Sequence, residues 1–118
     1  MKVYAIRGAI TVDADTPEEI TRRSVELMSE IVARNPSADN IVSVVISTTE
    51  DLRSCYPAKA IRESGIVNAP LFSCKEPEIE GAMPMCIRLL VTVTSSDDGA
   101  TARHAYLGKA AELRRDLS

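Results

Sequence analysis

The chain has 118 residues, a formal net charge of -3 with a pI near 5.2, and only 3% aromatic residues with no tryptophan. That length predicts one domain, residues 1–118, burying about two-thirds of the surface its unfolded chain exposes. So few aromatics leave no base-stacking platform or carbohydrate-binding face, and the acidic balance argues against nucleic acid or an anionic membrane as partner.

Three cysteines, Cys55, Cys74 and Cys86, without CxxC spacing and with a single histidine, His104, support neither a disulfide framework nor a zinc site. The opening "MKVYAIRGAI" lacks an extended apolar segment with a cleavage site, and no run approaches the roughly 20 residues of a membrane span. A cytoplasmic protein with reduced thiols is the expectation.

The first predicted element is a strand over 2–12, rich in β-branched residues, with Arg7 as its odd member and Gly8 marking a bulge or a close backbone approach. A helix over 17–34 follows: Thr16 is its N-cap, Pro17 its first residue, and Glu18 and Glu19 complement the dipole. Ile20, Ser24, Leu27, Met28, Ile31 and Val32 form its apolar stripe, and Asn35 and Pro36 end it. The near-continuous apolar run over 40–49 predicts a strand buried on both faces.

A short helix is expected from Pro57 to a stop at Gly65, with Lys59 and Arg62 on one side of it. Residues 69–75 read as a strand, "EPEIEGAMP" as a loop, and "CIRLLVTVTS" (86–95) as a strand. In that strand Ile87, Leu89, Val91 and Val93 share a core face, while Arg88 lies on the other with Cys86, Leu90, Thr92 and Thr94. A last helix is predicted over 101–113, weakened by Gly108, with His104 as a surface or capping residue and "RRDLS" as a charged tail. The order β-α-β-α-β-β-α describes a single α/β domain with a mixed sheet. Its four short strands leave open edges that an oligomer would protect.

No dinucleotide fingerprint, P-loop or nucleophile elbow is present. The cations are more informative. Arg7, Arg88, Lys59, Arg62 and Arg114 all sit in or beside apolar runs. For any one of them an internal ion pair is the ordinary explanation, whereas five together suggest a pocket for a small polyanion, with arginine giving bidentate contact. Cys74 and Glu76, at alternate positions, project to one side, as ligands of a hydroxyl or as a neutral buried thiol and an internal ion pair.

"IRGAITVDADTPEEI", "STTEDLRSCYPAKAIRESG", "PLFSCKEPEIEGAMPMCIRLLVTV" and "RHAYLGKAAELRRDL" together resemble consecutive segments of the AroH-type chorismate mutases. The resemblance runs from about residue 3 to residue 117 and implies a trimeric pseudo-α/β barrel with clefts between subunits. It also implies a cofactor-free Claisen rearrangement of chorismate to prephenate in aromatic amino-acid biosynthesis. By the same resemblance Arg88 faces the ether oxygen, Arg7 and Tyr106 hold the side-chain carboxylate, and Glu76 and Cys74 meet the ring hydroxyl. Tyr56 is implied as pocket lining, and Ser73, Lys59, Arg62, Leu113 and Arg114 as further substrate-binding positions. Family members differ in the spacing to the acid, so Glu78 competes with Glu76; Pro77 keeps its predecessor extended and favours Glu76. Few residues follow the LR segment, so little tail is expected to order over the site. A trimeric enamine or imine deaminase of the YjgF type, with a similar barrel, and a non-catalytic metabolite-binding trimer remain as alternative readings.

Overall fold

The computed structural model describes residues 1–114. Strands β1 (Lys2–Thr11), β2 (Asn40–Thr48), β3 (Leu71–Lys75), β4 (Cys86–Ser95) and β5 (Ala105–Leu107) form one mixed sheet in the order β3-β2-β4-β1-β5. Central β4 is antiparallel to both neighbours, β1 and β2. The outer pairs, β2 with β3 and β1 with β5, are parallel.

Helix α1 (Pro17–Arg34) begins where the sequence signals it: Thr16 is extended and its hydroxyl accepts the Glu19 N–H at 3.2 Å. At the other end the Asn35 side chain donates to Ile31 O at 2.7 Å and to Arg103 O at 2.9 Å, and accepts from Arg103 N at 2.9 Å. It therefore ties the end of α1 to the segment entering β5. Helix α2 (Pro57–Ser64) stops at Gly65, whose φ of 75° is the left-handed geometry of a helix C-terminus. Both helices cover one face of the sheet, where Ile6, Ile10, Ile46, Ile87, Leu89 and Val91 pack on Leu27, Met28, Ile31 and Ile61. Gly8 makes this possible, because a Cβ there would lie 2.5 Å from Ile31 Cδ1. It is a close approach and not a bulge, since the β1–β4 register runs unbroken from Lys2 to Thr11.

Several expectations are corrected. Val32 is 42% exposed and lies off the buried stripe of α1. Within the chain β2 is buried on one face only: Val44 and Ile46 are inside, while Val42, at a register irregularity between Ile41 and Ser43, is exposed. The predicted final helix does not form. Ala105–Leu107 adds a fifth strand along the free edge of β1, and a short 3-10 helix, Gly108–Glu112, follows. Two physical terms outweigh helix propensity here. Parallel pairing satisfies backbone groups along β1, and Gly108 adopts a φ of 60°, which no helix interior accommodates. Of the charged tail, Arg114 is described; the remainder lies outside the described residues.

Candidate active site

The sheet face opposite the helices carries the chemistry. Register places Cys74 (β3), Ser47 (β2), Arg88 (β4), Ala9 (β1) and Tyr106 (β5) in one row across all five strands. Alternation along each strand then brings Arg7 and Leu90 into the adjacent row of the same face. Arg7, Arg88, Tyr106, Ser47 and Cys74 line a recess of about 210 Å³ there. Alanine at position 9 keeps the floor low between the two arginine-bearing positions.

Arg88 is held on one side. Its Nε is buried and lies 3.4 Å from Glu76 Oε1, without hydrogen-bond geometry, while the side chain as a whole is 42% exposed. The Ser47 hydroxyl donates to the same Glu76 oxygen. Glu76 reaches this place because Glu76 N still pairs with Thr48 O at 3.0 Å, so the extended phase of β3 continues one residue past Lys75. Glu78 lies elsewhere. Its carboxyl is pushed above the usual range by a hydrogen bond and like-charge repulsion from Glu50.

The start of β4 is fixed by a separate clamp. The Thr49 hydroxyl donates to Asp51 and accepts from Cys86 N at 3.0 Å, and Asp51 accepts from Met85 N at 3.0 and 3.2 Å. Met85, with φ 54°, is the one positive-φ residue among the described non-glycines, and the clamp holds it there immediately before Cys86 opens β4 and sets Arg88 in register. The Cys86 thiol is buried, and burial pushes its pKa up, so it stays neutral beside Arg88.

The remaining candidates divide. Tyr106 is 8% exposed and packs with Ala9, Cys86 and Ala110, against which Leu113 and Met83 also rest. Arg114 lies close enough to His104 for its charge to act on the imidazole. Tyr56 and Ser73 instead line a second recess of about 430 Å³ beside the β3 edge, which shares only Cys74 with the first. Lys59 and Arg62 are exposed on α2 and line neither recess. Within one chain, then, the candidates form two groups on either side of β3. Sequence reasoning missed Ser47 and misplaced His104. Ser47 was signalled only by its polar place in the alternation of β2, and His104 precedes β5, where Nδ1 accepts Arg7 N–H at 2.8 Å.

The profile of the family described as "Chorismate mutase type I" matches residues 3–117. Chorismate mutase AroH of Bacillus subtilis (strain 168) is 38% identical over 120 residues, spanning 100% of this chain and 94% of that protein. Chorismate mutase AroH of Thermus thermophilus is 39% identical over 117 residues, covering 98% of this chain and 96% of its own length. The solved structure of a chorismate mutase from Clostridium thermocellum superposes with a TM-score of 0.83 at 32% identity, over 92% of this chain and 98% of that one. By these full-length matches, together with its five-stranded mixed sheet and the arginine-bearing face of that sheet, this chain belongs to the type I chorismate mutase family.

Proposed function

We propose that this protein is a chorismate mutase, a cofactor-free isomerase that rearranges chorismate to prephenate in aromatic amino-acid biosynthesis, through residues of one catalytic domain. The observation that carries the reading is the cluster in which Glu76 and Ser47 flank Arg88, with Arg7 and Tyr106 beside it. The reaction breaks a C–O bond and forms a C–C bond within one molecule, so it needs neither a nucleophile nor a base. It needs a compact conformer and positive charge where the ether oxygen gains electrons. Arg88 supplies that charge, already oriented by Glu76; Arg7 and Tyr106 hold a carboxylate; Glu76 and Cys74 serve the ring hydroxyl. A millionfold acceleration needs about 8 kcal/mol, within reach of one apposed guanidinium plus conformer selection.

The working unit in this reading is a homotrimer with its sites between subunits. The Arg88 recess, at about 210 Å³, is smaller than the roughly 300–1,000 Å³ of ligand pockets. The second recess, with Tyr56 and Ser73, offers the complementary wall from a neighbour. Lys59, Arg62, Leu113 and Arg114 then close the rim. The helix-free face also leaves Val3 62%, Phe72 67% and Leu90 42% exposed, apolar surface that a partner copy would cover. We place the protein in the cytoplasm, where three free cysteines are at home. No helix among the described residues is long and apolar enough to cross a membrane. Incubation with chorismate, following loss of its ultraviolet absorbance, tests the function: loss far above the spontaneous rate is expected, and a rate equal to it would refute the reading.

A further inference from the structure

Parallel pairing between β1 and β5 spans only Gly8–Ile10 on β1, so the peptide N–H of Arg7 lies just beyond its end. The imidazole of His104 fills that gap, with Nδ1 accepting Arg7 N–H at 2.8 Å. A ring nitrogen accepts only when it carries no proton, so this contact requires the neutral tautomer protonated at Nε2. The backbone of His104 is itself fixed from α1, whose Arg34 Nη1 donates to His104 O at 2.9 Å.

We propose that His104 is a positioning residue for Arg7, and that protonation of its imidazole in mild acid frees the β1 backbone at Arg7 and weakens binding of the dicarboxylate substrate. The inference rests on the reading of Arg7 as a carboxylate-holding group. The charges that act on the imidazole are Arg7 on β1 and Arg114 past the 3-10 helix; Arg34, paired with Glu30 on α1, holds the His104 carbonyl, and Arg103 on its own segment lines a solvent recess with it. Asp97 and Tyr4 line the same solvent recess. Burial first, then Arg7 and Arg114, hold the imidazole below the ordinary histidine value of 6.5. The neutral form therefore prevails at neutral pH. Its contribution to folding is complete above 6.5 and declines as pH falls from there toward the lowered folded value.

Two effects of protonation oppose each other. An imidazolium would attract a bound carboxylate, but the new proton would sit on Nδ1, directly against a backbone donor. The second contact is the nearer one and acts on the strand that carries the Arg7 side chain, so weakened binding dominates.

The test compares KM and kcat for chorismate between about pH 5 and pH 8, where histidine alone titrates unperturbed, in the wild type, His104→Asn and His104→Ala. Asparagine places Oδ1 near the position of Nδ1 and does not titrate. For the wild type, KM rises on the acid side with little change in kcat. His104→Asn keeps the neutral-pH KM within about threefold and holds it flat, and His104→Ala holds KM about tenfold above the neutral-pH wild-type value at every pH, the effect of one lost hydrogen bond, so that its gap to the wild type closes in acid. Independently of turnover, the Arg7 amide resonance shifts with pH in the wild type and not in His104→Asn. An Arg7 amide that ignores pH, identical KM profiles for wild type and His104→Asn, or an unchanged KM in His104→Ala would each overturn the proposal. A chain without turnover overturns the proposed function instead, and is told apart because the amide titration is read without substrate.

Discussion

Replacing Glu76 and Glu78 one at a time separates a carboxylate built into the site from one that merely borders it. Glu76 Oε1 is 3.4 Å from the buried Nε of Arg88 and accepts from Ser47, and its side chain is 23% exposed. Truncation to alanine removes the proposed partner of the ring hydroxyl and also frees Arg88 to reorient. A hydrogen bond to a charged group contributes about 1.5–3 kcal/mol, so Glu76→Ala should lower kcat/KM roughly a hundredfold, about 2.7 kcal/mol. Glu78 interacts with Glu50, and Lys75 and Arg53 are cations that act on it. Glu78→Ala relieves a like-charge contact and should stay within about threefold. The assay is chorismate consumption by both variants side by side, with far-ultraviolet circular dichroism as the check on folding. Equal losses, or a larger one at Glu78, would refute the assignment and the extended path through Pro77 on which it rests.

Sedimentation equilibrium at micromolar protein should give three times the 12.8 kDa chain mass, and a monomer would remove the shared site. Gly8→Val should destabilise the fold by about 1–3 kcal/mol or more through overpacking against Ile31 and Leu27, read as a lower urea midpoint; an unchanged midpoint would mean that α1 sits farther from β1. Hydrogen bonds from the Ser54 and Arg53 backbones lower the Asp15 pKa below 3.8, so its contribution is present above that value and lost as pH falls through the folded one. The stability gap between wild type and Asp15→Ala should therefore narrow in thermal melts taken below pH 3.8, and a gap independent of pH would contradict this.

Much of the framework was legible because local chemistry and tertiary structure agree. Thr16, Pro17 and the two glutamates mark the start of α1, Pro57 and Gly65 bracket α2, and the alternation of "CIRLLVTV" separates Arg88 from the core face. Residues 105–107 were not legible as a strand, since three residues with fair helix propensity become β5 only through the open edge of β1. The site was legible in part. Periodicity assigns Arg7, Cys74 and Arg88 to faces, but only cross-strand register shows that Ser47 stands between Cys74 and Arg88. That Tyr56 and Ser73 open on a different recess from Arg88 depends on which side of β3 each occupies, a relation without a local signal.

Comparing kcat with KM for chorismate in wild type and Arg88→Ala tests most directly whether Arg88 acts in the transition state. Loss of a preorganised donor costs about 2.7–4 kcal/mol, so kcat should fall about a thousandfold while KM changes by less than about tenfold. A KM that rises steeply while kcat holds would contradict the account and make Arg88 a binding group alone.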